Sequence, residues 1–122
     1  MLGLMVSLTI LFLLILKHFF VDFVHQTPEH IAHKGTYGHL KGIEHSAYHG
    51  ALTALIFWVW VSPDIAVFLG LVDFFLHYHI DYVKIKYGEK DSTKKEYWVQ
   101  FGLDQLAHNL TYILLIFIMI GL

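Results

Sequence analysis

Apolar residues fall into four blocks along the chain, at about 2–24, 51–61, 65–83 and 98–122. A helix needs about 20 predominantly apolar residues to cross a bilayer, and the first, third and fourth blocks have that length. The second is short unless the polar stretch before it is also helical. Punctuation separates the blocks. Thr27-Pro28 ends the first, because the residue before a proline is pushed out of the helical region. Gly35 and Gly38 mark a polar loop over 28–38. Ser62-Pro63-Asp64 reads as a tight turn, with the proline opening the next helix. The charged run 88–95 reads as a water-facing loop. Helices are therefore predicted at about 2–26, 39–61, 64–86 and 96–121. They form a single domain over 1–122, an all-α, integral membrane four-helix bundle of up-down topology.

The polar residues that interrupt these blocks follow the helical period. His18 and Asp22 are spaced i, i+4, as are His45 and His49, and Asp104 and His108. Asp73, His77 and Asp81 are spaced i, i+4, i+8, so each set lines one helix face. Ionisable side chains inside a span are expensive and usually mark function. The sets lie late in helix 1, early in helix 2, late in helix 3 and early in helix 4. In an alternating bundle all four fall at one depth, about 8–15 Å inside the helix ends at 1.5 Å of rise per residue. Nothing in the composition requires that agreement.

Composition narrows the reading further. Of 122 residues 57% are hydrophobic, and the mean hydropathy is +0.58, high for a soluble domain. The absence of cysteine excludes disulfides and thiolate ligands, and ten histidines are many for so small a membrane protein. With no arginine and no basic cluster, no nucleic-acid partner is expected. The apolar run 2–24 has no basic segment before it and no small-residue cleavage site after it, so it reads as a retained span. Trp58 and Trp60 suit an interfacial belt. All eight lysines fall on the side of the polar cluster. The positive-inside rule then faces the cluster to the cytoplasm of a bacterial inner membrane or its equivalent, with the N- and C-termini outside.

The candidate metal ligands are His18, Asp22, His45, His49, Asp73, His77, Asp104 and His108. A pair one turn apart can hold an ion from a single helix face, as His-x-x-x-His does in zinc proteases. Eight ligands exceed what one ion needs, so the cofactor is one or two divalent ions. Imidazole and carboxylate without thiolate suit zinc first, then manganese or iron. Asp81 and Asp104 are the candidate catalytic carboxylates, Asp81 doubling as a ninth ligand. The Glu-x-x-His of ferritin-like di-iron bundles is absent. The expected function is metal-dependent hydrolysis of an amphiphilic, lipid-like or phosphoester substrate by an activated water. A di-iron lipid oxidase is the first alternative, with His45-x-x-x-His49 as its one histidine box. A proton or metal-ion pathway is the second, although the outer halves of helices 1, 2 and 4 offer only Ser7, Thr9 and Thr53. A polar core that merely joins helices is the third.

The remaining polar residues carry weaker readings. His30 and His33 read as solvated loop residues at the mouth, and His79 points away from the Asp73/His77/Asp81 face. Lys17 and Lys84 read as phosphate binders or as cations that snorkel to the interface. Gln26, Gln100, Gln105 and Asn109 suit roles in orienting ligands. Exposed aromatics on four short helices leave room for a homo-oligomer.

The motifs form an ordered set: Lys17-His18-x-x-x-Asp22-x-x-x-Gln26, His45-x-x-x-His49-Gly50, Asp73-x-x-x-His77-x-x-x-Asp81-x-x-Lys84 and Asp104-Gln105-x-x-His108. The set resembles a "domain of unknown function" family of short bacterial and phage membrane proteins with four helices. The resemblance spans nearly the whole chain and implies the fold and the polar site. More distantly, the chain is similar to membrane-bound metal-dependent hydrolases. That similarity implies a metal-activated water attacking a lipid-borne ester or phosphoester.

Overall fold

The computed structural model describes residues 2–122. It is all-helical, with no strand among the described residues. Helix α1 (Leu2–Phe19) continues into a π-helical segment, Phe20–His25. A short helix α2 (Pro28–His33) precedes three long ones: α3 (Leu40–Trp58), α4 (Pro63–Tyr87) and α5 (Lys95–Gly121).

Two local features depart from the sequence pattern. The polar stretch 28–38 is not all loop, because Thr27 and His30 close a reciprocal cap. The Thr27 hydroxyl accepts from the His30 N–H at 3.2 Å, and His30 Nδ1 accepts from the Thr27 N–H at 3.1 Å. Glutamate or glutamine usually fills the second role, so a histidine there hides the signal. Gly38, at φ +82°, makes the left-handed turn into α3 that a side chain would resist. The second departure is the π-helical segment. It inserts an extra residue into the turn that carries Asp22, and the Gln26 side chain donates to the Asp22 carbonyl at 2.9 Å. Such insertions recur at functional sites.

The polar stretch before the second apolar block is helical, and its His45, Ser46 and His49 turn inward. α3 packs most extensively on α4, α4 also meets α5, and α1 touches α3 and α5. The α3–α4 contact is close because glycines meet there. A Cβ built on Gly70 would stand 2.5 Å from the Gly50 carbonyl oxygen and 2.9 Å from Ala54 Cβ. Small residues of this kind let helix backbones approach without intervening side chains.

The interior has two storeys. Ile10, Leu14, Phe57, Leu69 and Leu115 are fully buried in one half and form an apolar plug. In the other half the buried groups are histidines, aspartates and lysines. The exterior is the reverse of a soluble protein's, with Leu8, Phe12, Leu71, Phe75, Leu106 and Phe117 all exposed. Three helical stretches are long and apolar enough to cross a membrane: Gly3–His25, Pro63–Tyr87 and Lys95–Gly121. That is consistent with a membrane protein. α3 does not meet the same measure, because its first half carries Lys41, Glu44, His45 and His49.

Candidate metal centre

Each long helix presents one polar stripe to the interior. On α1 and its π-helical extension these residues are Lys17, His18 and Asp22, all buried. α3 supplies His45, His49 and Thr53, α4 supplies Asp73, His77 and Asp81, and α5 supplies Asp104, His108 and Tyr112. Within each helix these residues lie one turn apart, as the i, i+4 spacing requires, except Lys17, which neighbours His18.

The centre of the cluster is Asp22. Its Oδ1 lies 2.8 Å from His45 Nε2 and 2.8 Å from His49 Nε2, with His77 Nε2 at 3.7 Å. Its Oδ2 lies 3.2 Å from His18 Nε2. Asp81 forms the second carboxylate pole. Its Oδ1 accepts from His108 Nε2 at 3.2 Å, and its Oδ2 is 3.1 Å from His77 Nε2 and 3.6 Å from His45 Nε2. Asp104 completes the set, with Oδ1 3.5 Å from His108 Nε2 and Oδ2 accepting from Gln105 Nε2 at 3.0 Å. The imidazoles lean on one another. The His49 and His77 rings stack at 3.5 Å between centroids, and His77 and His108 lie 4.3 Å apart.

Three groups have one donor atom per residue within 4.8 Å of all the others: Asp22/His45/His49/His77, His18/His77/His108 and Asp81/Asp104/His108. His77 and His108 each belong to two groups, so these are corners of one cluster and not separate sites. A network that was only hydrogen-bonded would pair its buried nitrogens and oxygens. Here Nδ1 of the fully buried His77 has no hydrogen-bond partner among the described residues, and its Nε2 meets only the Asp81 and Asp22 carboxylates, at 3.1 and 3.7 Å. His45 Nδ1 and Asp104 Oδ1 are also unpartnered. Imidazole nitrogens and carboxylate oxygens gathered this closely in a buried site fit a divalent cation.

Most of the expected residues therefore meet: His18, Asp22, His45, His49, His77, Asp104 and His108, joined by Asp81. Asp73 does not join them. It sits one turn deeper, where its Oδ2 accepts from Lys17 Nζ at 2.8 Å and from the Thr53 hydroxyl at 2.5 Å. Lys17 is buried there and does not snorkel outward. Its ammonium also donates to Thr53 Oγ1 and to His49 Nδ1, each at 3.1 Å. A neutral His49 that accepts at Nδ1 carries its proton on Nε2 and donates it to Asp22. Tyr112, at 2.7 Å from His18 Nδ1, closes the floor of the site.

Sequence reasoning missed three groups at the rim and the floor. Lys34 is buried and pairs with Asp81 Oδ2 at 2.8 Å. It comes from the connection after α2, where no periodicity announces it. His30 is buried against the His45 ring rather than solvated, with centroids 5.5 Å apart. Burial, with a smaller contribution from nearby His45, holds the His30 imidazole below its usual pKa. The pairing of Lys17 with Asp73 at the floor is the third: spacing places Asp73 on the ligand face and gives no sign that a lysine from another helix claims it. His79 lies outside the cluster, where Tyr37 Oη meets its Nε2 at 2.9 Å.

No curated protein and no solved structure matches the chain. A family model described as "protein of unknown function (DUF3307)" matches residues 10–122, a span that takes in the whole cluster and the helices that build it. The ordered motifs and this match agree, and the chain belongs to the DUF3307 family.

Proposed function

We propose that this protein is an integral membrane metalloenzyme, a four-helix bundle that hydrolyses an ester or phosphoester of an amphiphilic substrate. The observation that carries the reading is the convergence of five buried histidines and three buried carboxylates, with the fully buried His77 among them. Asp22, His45, His77, His18 and His108 would hold one or two divalent ions, zinc first. A bound cation of this kind supplies Lewis acidity and a water acidified toward neutral pH.

The chain's own residues divide the remaining work. Asp22 is fixed by His49, which is in turn oriented by Lys17, so the carboxylate cannot rotate away. Asp81 is held by Lys34 and steadies His108. Asp104 Oδ1 is free of hydrogen bonds, and Asp104 borders a small recess of about 60 Å³ that also touches Asp22 and Asp81. It is the carboxylate best placed to take the proton of the attacking water. The water oxygen bonds to the carbonyl carbon or phosphorus, the ester bond breaks, and that proton passes to the leaving alcohol oxygen. The apolar plug beyond Asp73 favours an enzyme over a pathway, since a conducted ion would meet only buried aliphatic and aromatic side chains. The position of all eight lysines toward the cluster supports a cytoplasmic mouth.

Elemental analysis of the protein, purified in detergent without chelator, tests the centre. One or two divalent ions per chain are expected. His77→Ala is expected to lose them with helical content unchanged by circular dichroism. His49→Gln, which removes a residue oriented toward Asp22 rather than toward an ion, is expected to keep them. Wild-type protein free of metal would sink the reading. Iron with an oxo-iron absorption band would move it to oxidative chemistry on a lipid.

A further inference from the structure

Three cavities meet at one side chain. The largest, about 560 Å³, is an apolar groove between α4 and α5, lined by Leu76, Ile80, Val83, Leu103 and Ala107 and ending at Lys84 and Asp104. Val83 and Leu103 are exposed on the outer surface, so the groove opens sideways. A second cavity of about 260 Å³ is polar and faces the loop side, with Lys34, Lys84 and Lys90 among its walls. The third is the recess beside Asp22, Asp81 and Asp104, which Lys34 and Lys84 also line. Lys84 is the residue common to all three.

The two buried lysines near the cluster are committed, Lys17 to Asp73 and Lys34 to Asp81, each at 2.8 Å. Lys84 is not. Its Nζ lies 3.6 Å from Asp104 Oδ2 and 4.7 Å from the centre of the Phe101 ring, and its side chain is partly exposed. An ammonium held this loosely, between a polar cavity and an apolar groove whose walls it shares, has a complement of definite chemistry. That complement carries an anionic head and an apolar chain. A neutral head leaves the lysine unused, and a small soluble anion leaves the groove unused.

We infer that the substrate of the proposed hydrolase is a chain-bearing phosphate ester. It enters laterally between α4 and α5, with its chain along Leu76, Ile80 and Ala107 and its phosphate on Lys84. In that position the phosphate faces the recess bordered by Asp104. This inference rests on the hydrolytic reading for its reaction, but the binding it describes is measured separately from metal content.

The test is calorimetric titration of the whole chain, purified in detergent, with three probes. Dioctanoyl phosphatidic acid has both chain and phosphate, glycerol 3-phosphate has the phosphate alone, and dioctanoylglycerol has the chains alone and controls for partition into the micelle. The phosphatidic acid is expected to bind at least about tenfold more tightly than either half. Lys84→Gln is expected to remove most of that advantage by weakening the phosphate contact, and Ala107→Phe to remove it by filling the groove. Both variants keep the wild-type metal content, since neither residue belongs to the cluster. Equal binding of glycerol 3-phosphate would overturn the groove in favour of a soluble phosphate ligand. Equal binding of dioctanoylglycerol would overturn the role of Lys84. Unchanged binding in both variants would overturn the site itself. Absence of metal from the wild type would instead overturn the hydrolytic reading and leave the binding result standing.

Discussion

At the scale of single residues, the floor of the site is the most exacting arrangement. Lys17 and Asp73 are both buried and meet at 2.8 Å through Asp73 Oδ2, which Thr53 also contacts, while Asp73 Oδ1 has no partner among the described residues. Two charges so placed need not stabilise the fold, because desolvating them can offset their attraction. Removing one partner is a different matter, since it strands the other. Lys17→Met is therefore expected to lower stability by about 3–5 kcal/mol, the usual cost of an uncompensated buried charge. The double variant Lys17→Met/Asp73→Leu is expected to recover much of that loss. Unfolding of the purified variants in mixed micelles measures both. Equal destabilisation in the single and double variants would show that Lys17 is needed for the fold through something other than its charge.

At the scale of elements, the α3–α4 contact depends on having no side chain at Gly50 and Gly70. Gly70→Ala places a methyl group against the Gly50 carbonyl and Ala54, atoms of a rigid helix that cannot swing aside. Overpacking of this kind costs about 1–3 kcal/mol. A lower melting temperature is expected, together with weaker metal retention, because His49 and His77 ride on the two helices forced apart. An unchanged melting temperature would show that the helices separate without strain. At this scale most of the molecule was legible in the sequence. Proline marked the end of the first helix at Thr27-Pro28 and the start of α4 at Pro63, and the i, i+4 stripes named nearly every residue of the cluster. What escaped lacked a period. The cap at Thr27 uses His30 in place of glutamate, and Lys34 reaches Asp81 from an irregular connection. The π-helical turn at 20–25 leaves no mark on hydropathy, since its residues are as apolar as those of any span. Asp73 shares a face with His77 and Asp81, yet pairs elsewhere because Lys17 competes for it. No rule of spacing contains that competition.

At the scale of the whole molecule, the proposed orientation, which rests on the one-sided lysines, is testable without knowing the reaction. The chain has no cysteine, so single cysteines report cleanly. Ser92→Cys in the charged connection before α5 is expected to react with a membrane-impermeant thiol reagent only from the cytoplasmic side. Ser62→Cys at the start of α4 is expected to react only from the opposite side. Labelling of both from one side would mean that α4 does not cross. The apolar plug has a further consequence, one of kinetics. A chamber closed at its far end gives substrate and product the same door. Under the proposed hydrolysis, the released product would compete with the next substrate for the vacated space and so inhibit competitively. Turnover would then be paced by how fast the chamber empties, and a reaction that consumed the product in the same leaflet would set the rate as much as any residue of the site.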